Sequence, residues 1–349
     1  MRGLTGTHPL IYLFCFGLIA PVLSGSVADF QERIYDVFEE NEGAVVRIKA
    51  AILVDDESLD EPKVTLRVGT GFFISREGHI LANASVVHQA QRVWFEHDSV
   101  AFAAEKVGTD LGTNVALLRA VSLPPEFHYI PLSESIGISR IGLQVMSISY
   151  TLDFSPAPGL GMVTGHESSF GPRVFPTTYM RTSIPAYPGE GGAPVFDLNG
   201  RLIGMKVASL PEIGSSYVIP TNAAVRIRDD LLFSGEVRYA WLGIEVSEKA
   251  DSQLGRWVEV DTVAAEGPAD QAGMKEGDKM ISVGEFPINR INDLREASFF
   301  SRVGQFVDIR VKREGEELRL SLRLVARPDD DEEDEEDLRL PPTPEVIPE

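Results

Sequence analysis

Past residue 28 the apolar positions first follow a helical period. Phe30, Ile34, Val37 and Phe38 share one face and acids fill the other, so "DFQERIYDVFEENEG" predicts a short amphipathic helix over 29–43. Gly43 stops it. The period then falls to that of strands. "AVVRIKAAILV" is β-branched and apolar, and polar "DDESLDEPK" follows it. From Val64 to about Ile227 come short runs split by turns: "TLRVGTGFFIS", "GHILAN", "RVWFEH", "NVALLRA", "QVMSISY", "GMVTGHESS", "APVFDLNGRLIGMKVAS" and "SSYVIPTN". No long helix intervenes, so 44–232 reads as an all-β unit, a sandwich or a pair of barrels. Asn199-Gly200 marks a hairpin within it.

"PTNAAVRIRDDLLFSGEV" predicts a helix and then a linker. A second unit covers 237–325. It begins with strands "WLGIEVSE" and "RWVEVDTV", then a short helix "PADQAGM" and a strand "DKMISV". A helix "INDLREASFFSR" and the strands "FVDIRVKRE" and "ELRLSLRLV" complete it. That is one small α+β domain. Residues 326–349, acidic and then proline-rich, read as a disordered tail.

Composition changes the picture at the two ends. Residues 1–28 hold Arg2, the uncharged run "LIYLFCFGLIAPVL" and then small residues, the pattern of a secretory signal peptide. The run is short for a retained membrane anchor, so cleavage and no stable membrane span are expected. Cys15, inside that run, is the only cysteine. The mature chain then has no disulfide, which fits a bacterial envelope, the periplasm, better than a disulfide-rich secreted setting. The net charge is −21, and "DDDEEDEED" from Asp329 to Asp337 opens a tail that carries much of it. An acidic chain is a poor partner for nucleic acid. His79, His97, His128 and His166 are scattered without metal-ligand spacing, so no metal or cofactor is expected.

Several stretches, in order, resemble the HtrA/Deg family of bacterial envelope proteases. They are "GTGFFISREGHILAN", "NVALLRA", "PGEGGAPVFDLNGRLIGM", "SSYVIPTN" and, most specific, "GPADQAGMKEGDKMISV". The resemblance covers about residues 30 to 325. It implies a mostly β fold, a trypsin-like double β-barrel followed by a small α+β PDZ domain. It also locates three catalytic positions, and all three are changed. Where the family has histidine in "TNNHVV", this chain has Ser85 in "ANASVV"; where it has aspartate in "DLAVLK", Asn114 opens "NVALLR"; where it has serine in "GNSGGP", Gly191 stands in "GEGGAP". Acyl transfer needs a hydroxyl nucleophile, an imidazole base and a carboxylate to orient it. Glycine offers no nucleophile, and a serine hydroxyl is no base at neutral pH. The resemblance leaves the backbone of Gly189 and Gly191 as a vestigial oxyanion hole.

The resemblance further implies that the loop Trp241, Leu242, Gly243 and Ile244 binds a peptide's C-terminal carboxylate beside a wall helix over Asn292–Arg302. The function expected is that of an inactive, HtrA-like pseudoprotease that binds peptides or exposed protein segments as a scaffold, chaperone or regulator. Two alternatives stay open. One is an active endopeptidase with a rearranged site built from His88, Asp110 and Ser183. The other is a structural subunit pairing with active paralogues. A trimer is a modest expectation from the same resemblance.

Overall fold

The computed structural model describes residues 27–54, 63–133, 136–171, 173–210, 213–252 and 255–326. The expected signal peptide and nearly all of the acidic tail lie outside the described residues.

Helix α1 (Val27–Asn41) lies two residues earlier than the sequence predicts. Ile34 and Val37 are buried and Phe38 packs on the core, while Phe30 stays exposed. Six strands close the first barrel: β1 (Val45–Val54), β2 (Lys63–Phe73), β3 (His79–Asn83), β4 (Arg92–His97), β5 (Val100–Asp110) and β6 (Val115–Ala120). Their order is β1-β2-β3-β6-β5-β4. The single turn α2 (Ala84–Val87) leaves β3. Six more close the second barrel: β7 (Gln144–Tyr150), β8 (Pro156–Phe170), β9 (Arg173–Thr182), β10 (Pro194–Asp197), β11 (Leu202–Leu210) and β12 (Ser215–Pro220). Their order is β10-β11-β12-β9-β8-β7.

Side chains alternate across each strand, and that alternation builds two kinds of core. Phe73 and Leu118 fill the first barrel, whereas their neighbours Phe72 and Leu117 face outward into a core shared by both barrels. Met146, Ile148, Phe196 and Met205 meet them there. Val145, Met180, Val195 and Val218 fill the second barrel.

Helix α3 (Thr221–Ser234) closes the barrel unit, and Gly235, at φ +77°, caps it. Next come β13 (Ala240–Trp241), β14 (Ile244–Asp251), β15 (Gly255–Val263), α4 (Pro268–Gln271), β16 (Lys279–Val283) and β17 (Phe286–Pro287). Then α5 (Ile291–Phe300), β18 (Phe306–Arg313), β19 (Glu316–Arg323) and β20 (Val325–Ala326) complete the second unit. Its sheet runs β14-β15-β16-β18-β19, with β13 paired to β20 apart from it. The wall helix expected over 292–302 is thus α5, ending two residues sooner.

In the barrels two strands were not predicted, and in the second unit neither was the two-residue β17. β5 has mostly exposed, mixed residues. β9 contains Pro176, which argues against a strand; the pairing of β8 with β9 breaks between Val174 and Tyr179, and the proline falls in that gap. Helix α5 docks on the same stretch. The Glu296 carboxylate accepts the Thr177 hydroxyl (3.0 Å) and the Thr178 N–H. Phe299 joins the inter-barrel core, under the Arg226 guanidinium at 4.5 Å. The Tyr239 hydroxyl donates to Asp110 Oδ2 at 2.7 Å.

Candidate functional site

The glycine-rich turn between β9 and β10 is held from three sides. The Thr70 N–H donates to Gly191 O (2.9 Å) and its hydroxyl to Gly189 O (2.8 Å). The Gly192 N–H donates to Lys206 O (2.8 Å), and the Lys206 N–H returns a bond to Ala193 O (2.9 Å). Below the turn lies a buried ion pair. Lys206 is fully buried, and its Nζ donates to Glu190 Oε2 (2.9 Å) and Pro185 O (3.0 Å). Glu190 also accepts the Thr151 hydroxyl (2.9 Å) and the Tyr187 N–H (3.2 Å). Burial pulls the Lys206 ammonium below the ordinary lysine value of 10.5, against the opposing pull of Glu190.

Positions 85, 114 and 191 are linked through two asparagine amides, those of Asn114 and Asn83. Asn114, at φ +59°, accepts the Ser85 N–H through Oδ1 (2.7 Å) and donates through Nδ2 to Val207 O (2.6 Å). The Asn83 amide donates to the same carbonyl at 3.4 Å. Asn83 also occupies the space in front of Gly191: a Cβ at residue 191 would lie 2.6 Å from Asn83 Nδ2. The Ser85 hydroxyl and Asn83 Oδ1 are buried without a hydrogen-bond partner. Neither the Gly189 nor the Gly191 N–H donates to a protein acceptor among the described residues. The turn therefore presents two free donors beside orphaned polar side chains, with no hydroxyl placed to attack.

The residues weighed for a rearranged centre are engaged elsewhere. Asp110 is buried, accepts from Thr113 and Tyr239, and burial raises its carboxyl above the usual range. The Ser183 hydroxyl accepts the Met162 N–H at 3.1 Å. His88 follows α2, half-buried.

In the second unit, Trp241 ends β13 and Ile244 begins β14. Between them Gly243 takes φ +79°, a value that favours glycine. The loop is tied back by its carbonyls: Leu242 O accepts the Ala269 N–H (3.0 Å) and Gly243 O the Ala264 N–H (2.9 Å). Beside it α5 lies against β14, the Ile291 N–H donating to Glu248 Oε1 at 3.0 Å.

Asn83, Thr70, Val207 and Lys206 were not singled out from sequence. Lys206 had a signal, a lone charge in the apolar run "LIGMKVAS". Val207 acts only through its carbonyl, which side-chain patterns do not report. Among the described residues no cluster of His, Cys, Asp and Glu suits a metal ion, and no helix is long and apolar enough to cross a membrane.

Comparison with known proteins matches residues 69–205 to a trypsin-like peptidase domain and 240–324 to a PDZ domain. Curated relatives include the "Probable periplasmic serine endoprotease DegP-like" of Marinomonas sp. (strain MWYL1), 28% identical over 277 residues, covering 75% of this chain and 58% of the relative. The protein of the same description from Rickettsia conorii is 27% identical over 316 residues, 85% of this chain and 59% of its own. This chain thus spans less than two thirds of those relatives. Among solved structures, the HtrA-type protease AlgW with tripeptide superposes with a TM-score of 0.69 at 23% identity, covering 86% of this chain and 99% of that one. The serine endoprotease from Yersinia pestis gives 0.59 at 20% identity, covering 84% and 98%.

Proposed function

Because this chain belongs to the HtrA family, with a trypsin-like peptidase domain followed by a PDZ domain, we propose that it is an inactive member that captures peptides without cutting them. The observation that carries this reading is the packing around Gly191. The place of a nucleophile's side chain is taken by the Asn83 amide, and the neighbouring Asn114 spends its amide on Ser85 and Val207. A base and a nucleophile must face each other within hydrogen-bond reach for acyl transfer; among the described residues Ser75 and His79 make a serine–histidine contact, away from the Gly191 turn, which supports this reading. The curated relatives are described as periplasmic, which supports a periplasmic location for this chain as well.

What remains for binding is the PDZ groove. Its loop Trp241–Ile244 would receive a C-terminal carboxylate, and β14 would pair with the incoming strand. The AlgW structure was solved with a tripeptide, which supports peptide binding. A scaffold, chaperone or regulatory role would follow from such capture. Exposed C-terminal or unfolded segments are the partners it suits.

Two experiments test this. Unfolded casein incubated with the chain should stay intact, and a fluorophosphonate probe should leave it unlabelled. Cleavage that survives purification and disappears in Ser183→Ala or His88→Ala would instead make the protein an endopeptidase with a rebuilt centre. A C-terminal peptide library should yield binders whose affinity is lost on amidation of the carboxylate. Binding indifferent to amidation would remove the PDZ groove from the account.

A further inference from the structure

Helix α5 presents three rows of side chains with different neighbours. Leu294 and Ala297 face the core of the PDZ domain. Glu296 and Phe299 face the barrels. The third row is Ile291, Arg295 and Ser298, spaced i, i+4, i+7 along one face. Both its ends touch the strands across the groove. The Ile291 N–H donates to Glu248 Oε1 on β14 (3.0 Å), and the Ser298 hydroxyl donates to Ala240 O on β13 (2.6 Å). Arg295 lies between them, over the groove.

Arg295 is half-buried, and its guanidinium donates to Asn292 Oδ1 at 3.0 Å. It forms no ion pair with a carboxylate among the described residues, and burial alone lowers it from its ordinary value. Arg47 pairs with Glu96, Arg226 with Asp230 and Arg313 with Asp278, whereas the half-buried Arg67 donates to the Ser85 carbonyl. A desolvated cation left without an anion, in a chain of net charge −21, marks a place where an anion from outside is favoured.

The helix and strand spacings say where along a bound peptide that anion belongs. Arg295 is one helical turn, about 6 Å, from Ile291. Val246 is two strand residues, about 7 Å, from Glu248, which Ile291 touches. Arg295 therefore stands over Val246. A peptide added antiparallel to β14, with its carboxylate on the Trp241–Ile244 loop, places its last residue beside Ile244 and its third from last beside Val246. Those two side chains point the same way, toward α5.

We propose that Arg295 determines the specificity of this groove by selecting peptides with an acidic side chain at the third position from the C-terminus. The proposal rests on the peptide-binding reading above. Fluorescence anisotropy with the full chain tests it. The probes are labelled peptides ending in valine and identical except for Glu, Gln or Lys at that position, each as free acid and as amide.

The Glu peptide should bind about tenfold more tightly than the Gln peptide, as expected of a charge-assisted hydrogen bond, and the Lys peptide more weakly than either. Arg295→Gln should erase the Glu preference, so that the Glu and Gln peptides bind alike. Arg295→Glu should transfer the preference to the Lys peptide. Equal, amide-sensitive binding of all three peptides would overturn the selectivity and leave the groove intact. A Glu preference that persists in Arg295→Gln would also overturn it. No binding by any peptide would overturn both the selectivity and the peptide-binding reading.

Discussion

Replacing Glu190 with glutamine should lower the stability of the barrel unit by about 3–5 kcal/mol, the usual cost of leaving one partner of a buried ion pair alone. Lys206 has no exposure through which water could take over its charge, and only neutral acceptors, Pro185 O and the amide oxygen of the new glutamine, would remain for it. Lys206→Met leaves the Glu190 carboxylate without its cation, but that group keeps the Thr151 hydroxyl and the Tyr187 N–H as donors and an unbranched apolar chain fills the space, so this change should cost less. Denaturant midpoints for the two variants check the order.

The pH dependence has a definite sign. Burial depresses Lys206 in the folded chain, so the unfolded chain binds the extra proton between the folded pKa and the ordinary value of 10.5. Stability contributed by this group therefore rises with pH through that window. Glu190→Gln removes the attraction that opposes the depression, so the window should widen and the rise should steepen. Lys206→Met should flatten it. A Glu190→Gln chain as stable as the parent, or more stable than Lys206→Met, would show that the pair does not hold the turn.

Restoring all three side chains, as S85H/N114D/G191S, should give no casein hydrolysis and a less stable protein. Triad members act as a unit worth on the order of 10⁶ in kcat, so a centre with even one misplaced member gains almost nothing. A serine side chain at 191 must first displace the Asn83 amide. Asn114→Asp turns a 2.6 Å donation to Val207 O into a repulsion between two acceptors, at a site that is nearly fully buried. That change alone should cost about 2–4 kcal/mol, through a lost hydrogen bond and an uncompensated buried charge. Its carboxyl should be raised by burial, so the penalty should shrink as the pH falls through the raised pKa. Turnover by the triple variant would show that the loss is one of side chains only.

Much of the fold was legible because it depends on local pattern. The alternation "GTGFFIS" places Phe72 and Phe73 on opposite faces, and the glycines of "PGEGGAP" and "GPADQAGMKEGD" mark turns that only certain backbones make. β9 was hidden because Pro176 argues against a strand locally, and only the break in the β8–β9 pairing accommodates it. β5 was hidden because its apolar and polar residues do not alternate: Val100, Ala101 and Ala103 are exposed along with Glu105 and Lys106.

By itself, the sequence determined which groups are present: Ser85, Asn114 and Gly191 at the positions where the resemblance to the family implies imidazole, carboxylate and hydroxyl. Composition and spacing suffice for that, since a side chain that is not encoded cannot act. Only the tertiary structure decided what fills the vacated space and what holds the turn. Asn83 lies 108 residues before Gly191, and Lys206 lies 16 residues after Glu190 on another strand. Helix α5, which carries Arg295, likewise meets β14 through Ile291 and Glu248, 43 residues apart in the chain. Hydrogen bonds and buried charges act over a few ångströms whatever the separation along the chain, so they become visible only when the chain is folded.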